Sequence, residues 1–306
     1  MYNNNTLHQS SIPFLILKHL SKRIRIPTCN MNNRKIILFT DLDGTLLDHS
    51  TYSFCEAEDA LALLREKGVA LILCSSKSRG EIEVYRKKLS NNEPFISENG
   101  GAIFIPEEYG DLKCEFDKID DGYLVIEIGS EYQPLVDAFE KIKRRTGINI
   151  KSITEFTIDE IVELTGLSRE EASLAQKREY MLPFIIDGRE EDVENIKDEI
   201  LSLGLNYTEG VRFVHLMGGN DKGKAVKILA DIFKKNSPET RITTVGIGDS
   251  LNDLPMLEVV DKAFLVKKEA GNYEERIKVE GLTYADGIGP AGWNKAVLGL
   301  FKSPKG

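Results

Sequence analysis

Short, unbroken apolar runs alternate with amphipathic segments along most of the chain. The runs span 35–40, 69–74, 94–96, 102–105, 242–247 and 263–266. Such runs are typical of strands buried on both faces of a sheet. The segments with a helical period span 55–67, 79–89, 221–235, 253–260 and 290–301. This alternation predicts an α/β fold with a doubly wound parallel sheet, similar to a Rossmann fold.

The pattern changes in the middle of the chain, after a stretch at 106–122 that is rich in proline, glycine and acid. Strands at 123–128 and 181–186 and helices at 132–146 and 190–203 follow, and capping boxes at Thr157 and Ser168 each predict a short helix. We expect an α/β cap domain inserted into the core. The expected division is a core of 35–108 and 212–306 and a cap of 109–211.

Residues 1–34 differ from the rest because they are rich in asparagine and serine and contain basic residues but no acid. We expect a disordered tail, or a start codon placed too early, with Met31 as a more compact start. The alternative is an organelle transit peptide, although a clear amphipathic Arg- and Ser-rich helix is missing.

Composition narrows the class of protein. The 306 residues are 41% hydrophobic, which is enough for a core, and the formal net charge of −9 argues against a nucleic-acid or membrane-surface partner. The four cysteines are scattered without metal-ligand spacing, which favours a reduced, cytoplasmic protein. No apolar run is long enough to cross a membrane. The sequence leaves the oligomeric state open.

Two carboxylates, Asp41 and Asp43, follow the first predicted strand directly, and Gly44 permits a sharp turn there. Ligands of open α/β sheets bind beyond the carboxyl ends of the strands. A carboxylate can attack phosphorus, and a second one nearby can act as acid and base. Two close negative charges also favour a divalent cation. The alternative is an ordinary acidic turn.

Three further positions lie at strand ends or helix starts. Ser75 could hold phosphate oxygens or merely cap the next helix. Lys222 lies in the first turn of a helix, where the helix dipole disfavours it, so it indicates a bound anion or a common surface lysine. Asp249 begins an acidic loop that suits a hard cation, or is only a loop.

Taken in order, these four stretches resemble the motifs of the haloacid dehalogenase superfamily. The resemblance implies Asp41 as the nucleophile, Asp43 as the general acid and base, and Ser75 and Lys222 as phosphate ligands. It also implies a Mg²⁺ ion bound by Asp41, Asp249 and the backbone carbonyl of Asp43. Asn252 and Asp253 would support that site.

Other segments resemble the mannosyl-3-phosphoglycerate phosphatase family more narrowly. They are residues 74–79, 97–103, 178–180, 215–224 and 289–293. The resemblance implies Asn99 among the substrate-binding residues. Ala291 stands where a glutamate is expected, and Met181-Leu182 replaces an acidic pair. These departures do not touch the catalytic motifs but leave the sugar open.

A glycosyl phosphoglycerate carries a carboxylate, which calls for an arginine. Arg178 and Arg169 lie on the helix expected to begin at Ser168, and Arg178 is the candidate. The alternative is that Arg178 only stabilises the helix end. His215, on a strand next to the core, is expected to be a structural histidine with its hydrogen bonds satisfied.

The sequence therefore predicts a magnesium-dependent phosphatase acting on mannosyl-3-phosphoglycerate through an aspartyl phosphate. A broader sugar-phosphate phosphatase, including one for glucosyl-3-phosphoglycerate, is the alternative. A phosphomannomutase-like phosphotransferase or a non-catalytic sugar-phosphate sensor would use the same site differently.

Overall fold

The structure, a computed structural model, describes residues 34–110, 112–210 and 213–302. The expected tail therefore lies outside the described residues, apart from Arg34. The strands are β1 (Arg34–Thr40), β2 (Ala70–Cys74), β3 (Phe95–Ser97), β4 (Ala102–Pro106), β5 (Lys118–Asp120), β6 (Tyr123–Glu127), β7 (Asn149–Ser152), β8 (Met181–Asp187), β9 (Asn206–Glu209), β10 (Val214–Met217), β11 (Arg241–Gly248), β12 (Lys262–Lys267) and β13 (Thr283–Ile288). The helices are α1 (Glu58–Lys67), α2 (Arg79–Lys88), α3 (Tyr132–Thr146), α4 (Ile158–Thr165), α5 (Arg169–Ala175), α6 (Glu190–Ser202), α7 (Lys222–Asn236), α8 (Leu254–Val259) and α9 (Gly289–Leu300).

The larger sheet has nine strands in the order β13-β12-β11-β1-β2-β3-β4-β6-β5. The first six are parallel, and β4, β6 and β5 extend them in antiparallel fashion. Strand β1 lies near the middle, between β11 and β2. The doubly wound α/β core is therefore confirmed, with an antiparallel edge that the apolar pattern did not reveal.

Both faces of this sheet are covered. Along β1, Leu38 belongs to the apolar cluster that contains residues of α1, α2 and α9, whereas Ile37 and Phe39 belong to the cluster with α7 and α8. Successive side chains of a strand point to opposite faces, so an unbroken apolar run is what a strand between two helical layers requires. The indole nitrogen of Trp293 in α9 donates to Thr40 Oγ1 at 3.0 Å and ties that layer to the end of β1.

The smaller sheet has the strand order β7-β8-β10-β9. One of its faces packs on α3 and α6 through Leu182, Phe184 and Leu216. The capping boxes at Thr157 and Ser168 open α4 and α5, as the sequence predicts.

Sheet membership differs from the expected division at both junctions. Strands β5 and β6 pair in the nine-stranded sheet, although they fall within 109–211, and β10 pairs in the smaller sheet, although it falls after 212. Alternating polarity alone does not say which sheet a strand joins. We propose that the cap runs from about 129 to about 219, which is where the chain leaves one sheet and returns from the other.

The two connecting segments touch each other and the loop after β3. The amide of Gly129 donates to the carbonyl of Gly101 at 2.9 Å, and a Cβ on Gly218 would overlap Ser130. Asn220 Nδ2 donates to the carbonyls of Glu98 (2.9 Å) and Tyr180 (2.8 Å). Glycine therefore permits the close passage of the segments that join core and cap. Among the described residues, no helix is both long and apolar enough to cross a lipid bilayer.

Gly100 offers a test of this close packing. It has a φ of +85°, and a Cβ there would overlap the backbone of Asp221 at the start of α7. We expect Gly100→Ala to lower the free energy of unfolding by about 2–4 kcal/mol, from left-handed strain plus overlap. Gly122→Ala is the matched control, since its φ is +82° with nothing within 4 Å, and it should cost about 1–2 kcal/mol. Equal losses in urea denaturation would show that the overlap relaxes freely.

Candidate active site

The carboxyl ends of β11, β1 and β2 lie side by side because these strands are parallel neighbours. We call this part of the large sheet the catalytic edge, and the predicted residues come together there. Asp249, Asp41 and Ser75 each follow one of these strands directly. All three are buried, and Ser75 Oγ accepts a hydrogen bond from the amide of Lys77 at 3.2 Å. The sheet topology therefore brings together side chains that lie far apart in the sequence.

Lys222 enters this edge from the first turn of α7. Its Nζ donates to Asp41 Oδ1 and to Asp253 Oδ1, both at 2.7 Å, and its side chain is fully buried. Burial alone lowers the pKa of a lysine, but the charges of Asp253 and Asp41 outweigh it and hold the pKa of Lys222 above its usual value. These carboxylates explain a lysine at a helix start that the dipole disfavours.

Three buried carboxylates, of Asp41, Asp249 and Asp253, place oxygens within 4.8 Å of one another. Burial raises the pKa of Asp41 well above its usual value, against the opposing charge of Lys222, and the neighbouring acids raise it further. Burial, and then the charge of Asp253, raise the pKa of Asp249 to about 7. Without more positive charge, the cluster therefore disfavours its own ionised form.

The three acids differ in what they have to offer a cation. Asp253 is committed within the protein, because its Oδ1 pairs with Lys222 and its Oδ2 accepts the amides of Asp249 (3.0 Å) and Ser250 (3.2 Å). Asp249 Oδ1 accepts from Thr45 Oγ1 at 3.1 Å. Asp41 Oδ1 also pairs with Lys222, but one ammonium cannot balance three carboxylates. Asp41 and Asp249 thus remain hard oxygen donors with an excess of negative charge around them, which fits a divalent cation.

Asp43 lies outside this cluster of carboxylates. Its Oδ1 is 3.1 Å from Lys77 Nζ, which is also 3.7 Å from Glu81 Oε1 and sits over the ring of Tyr52 at 5.0 Å from the centroid. The Asp43 carboxylate therefore faces Lys77 rather than the carboxylate cluster. Its role as acid and base, and its backbone carbonyl as a metal ligand, remain predictions. Lys77 was not predicted as a partner of Asp43. The signal available in the sequence was a lysine directly before Ser78, which caps α2.

Asn99 connects the catalytic edge to the cap. Its Oδ1 accepts from Asn252 Nδ2 at 3.1 Å, and its Nδ2 lies 3.5 Å from Met181 Sδ and 4.0 Å from Met217 Sδ. Met181 and Met217 belong to strands β8 and β10 of the cap sheet. This face of the cap sheet therefore covers the catalytic edge of the core.

Arg178 does not lie on a helix, which corrects the sequence-based expectation. Helix α5 ends at Ala175, and Arg178 follows in the loop before β8. Its guanidinium donates to the carbonyls of Ala175 (2.6 Å) and Ser76 (2.8 Å) and pairs with Glu81 at 3.2 Å. It thus joins cap to core. Arg169 instead pairs with Asp159 on the exposed surface.

Glu98 holds the start of β8 against the core. It has a φ of 49°, is fully buried, and accepts the amides of Glu179 (2.9 Å) and Tyr180 (3.0 Å). Burial raises the pKa of Glu98 to about 7, while Arg178 opposes this and Glu179 adds to it. In the sequence, Glu98 stands out only as part of the family-like segment 97–103, which indicates no role for it.

Comparison with known proteins places this site in a family. A family model described as haloacid dehalogenase-like hydrolase matches residues 38–279. A glucosyl-3-phosphoglycerate/mannosyl-3-phosphoglycerate phosphatase of Methanococcoides burtonii is 45% identical over 267 residues, which are 87% of this chain and 97% of the relative. A mannosyl-3-phosphoglycerate phosphatase of Pyrococcus horikoshii is 37% identical over 250 residues, 79% of this chain and 97% of the relative.

The chain therefore belongs to the haloacid dehalogenase-like hydrolases. Within them, these relatives confirm the resemblance to the mannosyl-3-phosphoglycerate phosphatases that the motifs indicate. A solved structure from Thermoplasma acidophilum has the same fold, with a TM-score of 0.62 at 21% identity, covering 87% of this chain and 98% of its own. A haloacid dehalogenase-like hydrolase from Bacteroides thetaiotaomicron gives 0.61 at 20% identity, covering 88% and 100%.

The raised pKa of Glu98 predicts a pH-dependent stability. Between its usual pKa of 4.5 and about 7, the folded protein keeps a proton that the unfolded chain has released. The stabilisation is therefore complete below 4.5 and is lost as pH rises through about 7. We expect the free energy of unfolding of Glu98→Gln, relative to that of the wild type, to rise by about 1–3 kcal/mol between about pH 5 and pH 8.

Urea denaturation with excess Mg²⁺ at both pH values measures this difference. The exposed Glu107→Gln is the matched control, and its stability should follow the wild type at both. Parallel stability profiles of Glu98→Gln and the wild type would show that Glu98 titrates normally.

Proposed function

We propose that the chain is a magnesium-dependent phosphatase that hydrolyses mannosyl-3-phosphoglycerate to mannosylglycerate and phosphate. The observation that carries this proposal is the buried ion triad of Asp41, Lys222 and Asp253 with Asp249 beside it. Two relatives, from Methanococcoides burtonii and Persephonella marina, are named for both glucosyl and mannosyl substrates, so we include glucosyl-3-phosphoglycerate. The three described cysteines are free, which supports a cytoplasmic location.

In the proposed reaction, an oxygen of Asp41 attacks phosphorus while the bond to the glycerate oxygen breaks. Asp43 donates a proton to that departing oxygen. It then removes a proton from a water molecule that attacks the phosphorus of phospho-Asp41, so that phosphate leaves and Asp41 is restored. Ser75 and Lys222 are the proposed phosphate ligands. Lys222 would contribute positive charge to the transferring group from its position on Asp41.

Asp41, Asp249 and the carbonyl of Asp43 would hold a Mg²⁺ ion, whose positive charge would offset the negative charge of the phosphate and the acids. The charges of the site support this, since Asp41 and Asp249 are both buried acids with raised pKa values. Asp253 has the separate task of holding Lys222 and the loop at Asp249.

Asn99 and Arg178 remain the proposed substrate-binding residues. Asn99 lies between the metal-site loop and the cap sheet, where a leaving group would pass. The guanidinium of Arg178 already donates to the carbonyls of Ala175 and Ser76 and pairs with Glu81. To bind the glycerate carboxylate, it would exchange the Glu81 carboxylate for that of the substrate.

A panel of phosphorylated compounds tests the proposed function. We expect phosphate release from mannosyl- and glucosyl-3-phosphoglycerate to exceed that from simple sugar phosphates, with no isomerisation of sugar phosphates. Asp41→Asn should lower kcat by at least about 1,000-fold while the protein stays folded, because the nucleophile is lost. Asp286→Asn is the control, since its carboxylate is exposed and pairs with Lys267.

Two outcomes would contradict this proposal. Phosphate returned to a second position of the sugar would indicate a phosphomutase. Binding without turnover in the wild type would indicate a sensor.

Removal of the metal gives a separate test. In excess chelator we expect turnover to fall below about one hundredth of its value with Mg²⁺. The negative charges of Asp41 and Asp249 would then repel the phosphate with no cation to offset them. The far-ultraviolet circular dichroism spectrum should stay unchanged, and added Mg²⁺ should restore turnover. Full turnover in chelator would exclude the metal requirement.

A further inference from the structure

His215 lies on the face of the cap sheet that is turned towards the catalytic edge. Its neighbours in β10, Val214 and Leu216, pack into the apolar cluster under α3 and α6. Because successive side chains of a strand alternate between faces, His215 and Met217 point the other way. Met217 Sδ lies 4.0 Å from Asn99 Nδ2, so this second face meets the core. We call it the inner face of the cap sheet.

The imidazole of His215 has an unsatisfied nitrogen. Nδ1 is buried, and none of the described residues forms a hydrogen bond with it. The Cε1–Nε2 edge of the ring lies beside Gly210, where a Cβ would come within 3.3 Å of both atoms. A structural histidine is normally held by a hydrogen bond to the protein, and a buried nitrogen without one destabilises the fold. The expected hydrogen bonding of His215 is therefore not found at Nδ1 among the described residues, and its structural role stays a prediction.

The imidazole of His215 is neutral at neutral pH. Burial, aided by the charge of Arg178, lowers the pKa of His215 to about 3. A neutral imidazole has one nitrogen that donates and one that accepts. Such a group suits a hydroxyl, which also donates and accepts, whereas phosphate and carboxylate groups are matched by lysine and arginine.

A second unsatisfied polar group lies near the same arginine. The hydroxyl of Tyr132 is buried and lacks a well-formed hydrogen bond among the described residues, although Thr154 lies close to it. The charge of Arg178 affects the pKa of Tyr132 as it does that of His215. Arg178 in turn contacts the core at Ser76 and Glu81. His215 and Tyr132 therefore both lie close enough to Arg178, which contacts the core, for its charge to act on them.

We propose that His215 is a specificity-determining residue whose Nδ1 forms a hydrogen bond with a hydroxyl of the glycosyl group of the substrate. The inference rests on the proposed function and extends it to the part of the substrate that does not react. The inner face of the cap sheet then binds the sugar, while the catalytic edge binds the phosphate. The bound sugar satisfies a nitrogen that the protein leaves unpaired.

The test compares His215→Leu with His215→Asn on three substrates. These are mannosyl-3-phosphoglycerate, 3-phosphoglycerate, which lacks the sugar, and p-nitrophenyl phosphate, which lacks both sugar and glycerate. For His215→Leu we expect kcat/KM on the glycosyl substrate to fall about 10- to 100-fold, mainly through KM, with the other two unchanged. His215→Asn should recover part of the loss, because its side-chain amide places a polar atom at the δ position.

Asn149→Leu is the matched control, since Asn149 is an exposed polar residue on the edge strand of the same sheet. The melting temperature provides a second measurement. His215→Leu should keep or raise it, because an apolar group replaces an unpaired nitrogen.

The outcomes separate the two proposals. Equal losses on all three substrates, or a large fall in melting temperature, would make His215 a structural residue and overturn the inference while the proposed function stands. Unchanged kcat/KM on the glycosyl substrate would also overturn it. A wild-type protein that releases no phosphate from glycosyl phosphoglycerates would instead overturn the proposed function, and the inference with it.

Discussion

The buried contact of Lys222 with Asp41 and Asp253 is the interaction on which the rest of the site depends. An isolated buried ammonium or carboxylate is very costly. Here Lys222 Nζ lies 2.7 Å from an oxygen of each carboxylate, so the opposite charges offset one another. Asp253 also accepts the amide of Asp249, so the same ion triad fixes the loop after β11. One lysine against this many acids leaves a negative excess, which makes the site receptive to a cation.

The ion triad also constrains the junction of core and cap. Lys222 begins α7 directly after the segment that returns from the cap, and Gly100 allows the loop after β3 to lie against that start. The same loop carries Glu98, which accepts the amide of Tyr180 just before β8, and Asn99, which contacts Met181 at the start of β8. The position of Lys222, the partner of Asp41, and the position of the cap are therefore set by one short stretch of backbone. Substitutions in this loop should therefore affect both. Glycine occurs at position 100 because the backbones meet there and leave no room for a Cβ.

The sequence predicted what is repetitive or locally encoded. The unbroken apolar run before Asp41 and the capping boxes at Thr157 and Ser168 depend on neighbours in the chain, and the structure has all of them as expected. The sheet that each strand joins depends on distant partners, so the roles of β6 and β10 could not be predicted from alternating polarity.

The site residues divide in the same way, into those that local sequence predicts and those that depend on distant partners. Asp41 and Asp249 could be assigned because strand ends bring polar residues to one edge. The pairing of Lys77 with Asp43 and the unpaired nitrogen of His215 are products of packing that no local pattern encodes.

A line of alternating charges links the cap to the proposed acid and base. Arg178 of the cap pairs with Glu81, Glu81 lies 3.7 Å from Lys77, and Lys77 lies 3.1 Å from Asp43. Arg178, Glu81 and Lys77 have side chains no more than 7% exposed, so little solvent screens these contacts. If the substrate carboxylate takes Arg178, Glu81 is left with Lys77 as its remaining cationic partner, and Asp43 then shares that lysine more weakly. The proposed binding of the leaving group by Arg178 and the proposed acid and base role of Asp43 are thus linked by direct contacts between charged side chains.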